Sequence, residues 1–145
     1  MAALEWRVRS TRMPVESLAA AVVDPERLVV VATSGEELVG WAKTHYWDWS
    51  DGPAGAGHYL GGVTVDTPWR RRGVAAALTE ARMEWIGERA DAAWYVVNGR
   101  NLASVALHRA WGFEEVARAS RFHTVEFTGG VGILFRAALP RRTRS

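Results

Sequence analysis

Arg70-Arg71-Arg72-Gly73-Val74-Ala75 is the segment whose residue types most directly imply chemistry. Guanidinium groups bind phosphate oxygens in pairs, and a glycine at the start of a helix lets the backbone approach an anion closely. Amides in the first helical turn have no intrahelical partner, and the helix dipole adds partial positive charge beside them. A helix beginning at Gly73, with the small Ala75 and Ala76 keeping its next turn open, therefore makes a site for a pyrophosphate. The segment lacks the Lys-Ser/Thr of a nucleoside-triphosphate loop and the three-glycine spacing of a dinucleotide fold, so both of those readings fail. A basic loop ahead of an ordinary helix accounts for the same residues, and spacing alone leaves the two open.

A second group of residues suits a cationic amine. In Tyr46-Trp47-Asp48-Trp49-Ser50-Asp51, Trp47 and Trp49 share a face if the chain is extended, and Asp48 or Asp51 adds opposite charge to their π faces. The plain alternative is that these Trp residues cover core while the acids solvate a turn. His58 and His45 fall on neighbouring predicted strands, where they relay a proton through water or serve only as strand residues. Asn101 is either a ligand contact or a helix N-cap. The chain has no cysteine, which removes disulfides, thiolate metal sites and cysteine nucleophiles, and no metal is expected.

The elements that must position these residues alternate along the chain. Residues 4–9 alternate apolar and polar as a first strand, and 14–23 carry helical spacing closed by Asp24-Pro25. Residues 27–33 and 38–47 form an antiparallel hairpin across Ser34-Gly35-Glu36-Glu37. After the loop Gly52–Gly57, a strand resumes over 58–65; its Gly61-Gly62 pair marks a bulge or a close backbone approach. A helix spans about Gly73 to Ala90, with Val74, Leu78, Ala81 and Trp85 on one face and Glu80, Glu84 and Glu88 on the other. Residues 92–97 form a buried strand. Asn101 to Trp111 form a helix with Leu102, Val105 and Ala106 turned inward, ended at Gly112. Two strands, 113–127 and 132–139, meet at Gly129-Gly130. This order, with one strand-helix-strand crossover, implies an α+β fold whose sheet is partly antiparallel and partly parallel.

Length fits one domain, 1–140, followed by a basic tail, 141–145, expected to be mobile. All but one of the 18 basic residues are Arg, yet the net charge is only +2. Acids nearly match bases and no nucleic-acid-binding motif occurs, so no nucleic-acid partner is expected. No stretch is long and apolar enough to cross a bilayer; no membrane partner and a cytoplasmic location are expected.

Residues 62–75, Gly-Val-Thr-Val-Asp-Thr-Pro-Trp-Arg-Arg-Arg-Gly-Val-Ala, resemble the acetyl-CoA-binding signature of the GCN5-related N-acetyltransferases (GNAT), whose turn reads Gln/Arg-x-x-Gly-x-Gly/Ala. Residues 101–113, Asn-Leu-Ala-Ser-Val-Ala-Leu-His-Arg-Ala-Trp-Gly-Phe, are similar to the family's second signature, Asn-x-x-Ala/Ser-x-x-Leu-Tyr-x-x-x-Gly-Phe. The resemblance implies a mixed central sheet of about seven strands, splayed at a bulge, with three to four helices on its faces. It also implies acetyl-CoA as co-substrate and a primary amine of a small molecule or peptide as acceptor, with a homodimer as a further candidate assembly. By the same resemblance Val63 and Val65 pair with the pantetheine arm. Arg70, Arg71, Arg72, Gly73, Val74, Ala75 and Ala76 hold the pyrophosphate, and Asn101, Ser104 and His108 line the cofactor.

The family pattern breaks at the chemistry. His108 stands where the usual acid Tyr is found, similar to the phosphinothricin-type branch, and an imidazole there either protonates the thiolate or only packs. Tyr59 stands where histone-type members carry a Glu base. The catalytic candidates are thus His108, Tyr59 and His58, and the substrate-binding candidates Trp47, Trp49 and Asp51. These departures keep a second function class in view, a non-catalytic acyl-CoA-binding regulatory domain.

Overall fold

A computed structural model describes residues 7–10, 27–34, 37–127 and 130–139. Its strands are β1 (Arg7–Ser10), β2 (Val29–Ser34), β3 (Glu37–Trp47), β4 (Gly57–Val65), β5 (Ala92–Asn98), β6 (Glu114–Ala119), β7 (Arg121–Phe122), β8 (Val125–Glu126) and β9 (Gly132–Ala138). A 3-10 turn at Thr67–Trp69 precedes helix α1 (Val74–Gly87), and helix α2 (Leu102–Arg109) follows β5. Seven strands hydrogen-bond in the order β1-β2-β3-β4-β5-β9-β6, and β7 and β8 form a separate two-stranded ribbon. The expected mixed α+β sheet of about seven strands is present. Two α-helices fall among the described residues; the helix read at 14–23 and the tail 141–145 lie outside them. No helix among the described residues is long and apolar enough to cross a membrane.

The chain forms two compact units, 1–45 with 61–85, and 46–60 with 86–145, so the division passes through β3 and through β4 at the Leu60-Gly61 bond. In the first unit, β2 is a run of β-branched and small residues buried on both faces, and β3 pairs with it antiparallel. Their register shifts between Ala32 and Thr33, where Val39 is the extra residue, and the Val39 carbonyl accepts from the Asp66 N–H at 2.8 Å. The core joins Leu28, Val30, Ala32, Val39 and Ala42 to Val74 and Leu78 of α1, with Val63, Val65, Trp69, Ala81 and Trp85 packed against it. This is the α1 face that 3.6-residue periodicity predicts, and Glu80, Glu84 and Glu88 are exposed as expected.

One α1 residue was not foreseen. Arg82 is fully buried, and its guanidinium donates to the carbonyls of Lys43 on β3 (3.3 Å) and Gly61 on β4 (3.1 Å) and to Thr79 Oγ1 (3.0 Å). It ties the helix to both strands where Gly61 brings them close. A Cβ on Gly61 would sit 2.9 Å from the Lys43 carbonyl, so the glycine is required by that approach.

In the second unit, β4 pairs parallel with β5 at Tyr59↔Trp94 and Leu60↔Tyr95, just before Gly61-Gly62. The strand-helix-strand crossover is therefore real. β9 runs antiparallel to β5 over its full length and to β6 from Gly132 to Arg136. The core here is Ala54, Tyr59, Phe122 and Leu134, flanked by Trp47, Trp94, Val96 and Phe127 among others.

Two expectations are corrected in this unit. The single strand read over 113–127 breaks at Ser120 into β6 and the β7–β8 ribbon, whose turn places His123 at φ 52°. Helix α2 is rotated from the expected face: Leu102 is 75% exposed and Ala106 exposed, while His108 is 3% exposed. Aromatic stacking on Tyr95 decides the rotation, and an eight-residue helix offers too few apolar positions for periodicity to decide it.

Candidate functional site

In the first unit the basic turn is built as an entry into α1. Arg71 at φ 62° and Gly73 at φ 81° both occupy the left-handed region. The first helical hydrogen bond runs from the Ala77 N–H to the Gly73 carbonyl at 3.0 Å, so the amides of Val74, Ala75 and Ala76 lie ahead of the helix ladder. A Cβ at Gly73 would meet no atom within 4 Å, so its requirement is conformational and its surroundings are open. The expectation named close approach; the backbone dihedral is a separate and sufficient reason for the glycine.

Arg70, Arg71 and Arg72 are all exposed. Arg70 Nε donates to the Val65 carbonyl at 3.2 Å, and the Arg72 guanidinium lies 5.5 Å from the centroid of Trp69. Val74 is buried as the first core residue of α1, while Ala75 and Ala76 are half-buried. The side chains of Val63 and Val65 pack on the first core. His45, also in this unit, is lowered to about 4 by burial, with the Lys43 and Arg27 charges adding to the effect.

In the second unit, Asn101, Ser104 and His108 are joined along one edge of α2. The Asn101 side chain accepts from the Ser104 N–H at 3.2 Å, which makes it the N-cap. Ser104 Oγ bonds the Tyr95 hydroxyl. His108 Nδ1 lies 2.8 Å from the Ser104 carbonyl, an atom that only accepts, so Nδ1 carries a proton and exchange at this imidazole is confined to Nε2. The ring stacks on Tyr95 with centroids 3.7 Å apart and planes 10° apart, and meets Phe113 edge-on at 5.8 Å. Tyr95 was not a sequence candidate; the signal was a hydroxyl-bearing aromatic inside an otherwise apolar strand.

The substrate candidates also converge, around a residue that the sequence did not single out. Trp47 stacks on His123 (4.8 Å, 5°), Trp49 meets the same ring edge-on (4.7 Å, 79°), and the two indoles touch at 6.1 Å. Asp51 Oδ2 accepts from the His123 backbone N–H at 2.8 Å. The expectation that Trp47 and Trp49 share a face of one strand changes in mechanism: β3 ends at Trp47, and a bend places Trp49 against the same imidazole.

Tyr59 completes this cluster, with its hydroxyl 2.6 Å from the Gly55 carbonyl and 3.1 Å from His123 Nε2. Burial, then the Asp51 charge, push the phenol well above its ordinary range, so it keeps its proton. His58 is not part of the cluster. It alternates with Tyr59 on β4 and packs on Tyr46, with centroids 4.8 Å apart. Among the described residues no group of three or more His, Asp or Glu is arranged to hold a metal ion.

Comparison with known proteins gives these features a family. The model described as Acetyltransferase (GNAT) family matches residues 2–113. No curated protein matches the sequence. Among solved structures the chain is similar to the ribosomal-protein-S18-alanine N-acetyltransferase of Escherichia coli (18% identity, 97% of each chain covered, TM-score 0.69). It is similar to Arabidopsis thaliana NAA60 in complex with acetyl-CoA (18% identity, 92% of this chain and 98% of that one, TM-score 0.70). It is also similar to nourseothricin acetyltransferase (18% identity, 93% and 99%, TM-score 0.69). These likenesses carry the fold. The family match spans both the basic turn and helix α2, and on that match the chain belongs to the acetyltransferase (GNAT) family.

Proposed function

We propose that this protein moves an acetyl group from acetyl-CoA to a primary amine of a small molecule or peptide by direct attack. The observation that carries the reading is the turn Arg70–Ala76. Inside the family-matched segment it combines exposed guanidinium groups, two left-handed residues and a row of amides ahead of the α1 ladder. That donor set fits a pyrophosphate.

In this reading acetyl-CoA supplies the activated thioester, and the protein supplies position and proton transfer. Val63 and Val65 offer main-chain groups to the pantetheine arm. Arg70, Arg71 and Arg72 and the amides of Gly73 to Ala76 hold the phosphates. Trp47 and Trp49, with the Asp51 charge beside them, attract a cationic amine. His108 returns a proton to the departing sulfur from Nε2, because its Nδ1 is tied to the Ser104 carbonyl. Asn101 acts as the cap that fixes the Ser104 amide rather than as a ligand. Holding amine and thioester in line contributes a large effective concentration without any covalent enzyme intermediate.

The test is a thermal-shift comparison of acetyl-CoA, CoA and ATP. Thiol release from acetyl-CoA is then followed with alaninamide, an alanine-initiated peptide, spermidine and an aminoglycoside. Stabilisation by both CoA species but not ATP, with amine-dependent thiol release, supports the proposal. Stabilisation without release on any amine favours the acyl-CoA-binding regulatory reading, to which the engaged, protonated Tyr59 lends support.

A further inference from the structure

The transfer reading leaves the acceptor amine without a base, and we propose that His123 is that base, acting through Nδ1. The inference rests on the transfer reading and is carried by the hydrogen-bond geometry of the second unit. The Tyr59 hydroxyl has one hydrogen. Its 2.6 Å contact with the Gly55 carbonyl, which only accepts, uses that hydrogen. The Tyr59 oxygen must therefore accept at its 3.1 Å contact with His123 Nε2, so Nε2 bears the proton and Nδ1 the lone pair. Nδ1 is buried and has no hydrogen-bond partner among the described residues. Burying an acceptor without a partner is costly, and retained examples concentrate where the atom has work to do.

Three aromatic side chains wall the ring in. His123 is 4% exposed, between the face of Trp47 and the edges of Trp49 and Tyr59. Trp49 is 45% exposed, so the imidazole lies one side chain from solvent. The Trp47 face, the Tyr59 oxygen and the Asp51 carboxylate on the backbone amide are the groups that hold the ring in place. The left-handed backbone of His123 and its amide bond to Asp51 hold the ring in register with these partners.

The proton balance is simple. An alkylammonium loses a proton to Nδ1, the resulting amine forms the C–N bond as the C–S bond breaks, and the thiolate takes a proton from His108. One of the two protons left on the attacking nitrogen, and the one on His123, leave to solvent or refill His108, so the amide keeps its single N–H. Tyr59 is a positioning residue in this scheme: it fixes the tautomer that leaves Nδ1 basic.

Two measurements test the proposal. Nitrogen-15 NMR of histidine-labelled protein is expected to show His123 as the Nε2–H tautomer, and an Nδ1–H tautomer overturns it. His123→Phe, which keeps the stack, and His123→Asn are assayed for thiol release with alaninamide, largely protonated near neutrality, and with acetohydrazide, whose terminal nitrogen is already neutral. The expected result is a loss on the order of 100-fold in kcat/KM for alaninamide, with a much smaller loss for the hydrazide, and an unchanged acetyl-CoA thermal shift. Equal losses on both acceptors, or no loss, overturn the base role while leaving transfer intact. If the unaltered protein releases no thiol with either probe or with any amine of the panel, the transfer reading itself falls and takes this proposal with it.

Discussion

Arg82 offers a sharp physical test because its guanidinium is fully buried and bonds the carbonyls of two strands. Replacing it in Arg82→Met removes the donors to the Lys43 and Gly61 carbonyls, at 3.3 and 3.1 Å, without removing the fold's apolar packing. Two other acceptors matter less. The Leu78 carbonyl lies in the helix ladder, and Thr79 Oγ1 keeps its 2.8 Å bond to the Ala75 carbonyl. Each strand carbonyl deprived of its donor costs about 1–3 kcal/mol. Removal of a buried guanidinium also relieves its desolvation, which offsets part of that sum. A net loss of about 2–3 kcal/mol follows, and for a domain of this size that lowers Tm by roughly 6–10 °C.

The second variant, Arg82→Lys, separates geometry from charge. An ammonium is a more strongly hydrated point donor and cannot bridge two strands with a planar fork, so Lys is expected to be at least as destabilising as Met. Thermal unfolding by circular dichroism, with urea unfolding as a check, measures both. Hydrogen exchange should show the extra opening at residues 61–65 rather than in β9. A Tm within about 3 °C of the unaltered protein for Lys would show that charge alone suffices. A rise in Tm for Met would show that desolvation outweighs the bridge, and either result refutes the reasoning.

Further expectations concern the turn, the acid and pH. Gly73→Val puts a β-branched residue at φ 81° and is expected to cost on the order of 1–2 kcal/mol and to abolish the acetyl-CoA thermal shift. Gly73→Asn, which tolerates left-handed backbone, should keep most of the stability; equal losses for both would point to a cause other than φ. His108→Gln is expected to lower kcat on the order of 100-fold with little change in KM for acetyl-CoA, and a matching rise in KM instead would assign His108 to binding. For His45, the unfolded chain binds a proton near 6.5 and the folded protein only near 4, so its contribution is complete above 6.5 and is lost as pH falls toward 4. Tm measured from pH 7 to 4 should therefore fall less steeply in His45→Gln than in the unaltered protein; parallel curves would exclude this source.

The local features were legible from the sequence because each is encoded within a few consecutive residues. The strand ending before Asp66, the glycine that opens α1 and the apolar stripe Val74-Leu78-Ala81-Trp85 all follow from spacing and residue type, whereas Asn101 stays open between cap and ligand contact until its side chain meets the Ser104 amide. The parallel crossover followed from element order. Tertiary structure alone decided which side chains meet. His123 reaches Tyr59 across 64 positions and Asp51 across 72, and no local period records such contacts. Arg82 reads as one more polar residue on an amphipathic helix until Gly61 and Lys43 bring their carbonyls to it. Helix α2 turned His108 inward because Tyr95 lay beneath it, a preference set by a neighbouring strand. The chain's own pattern thus determined the turn Arg70–Ala76 and its supports. The distant pairings fixed tautomers, buried acceptors and aromatic walls, because those depend on atoms that only folding brings within a few ångströms.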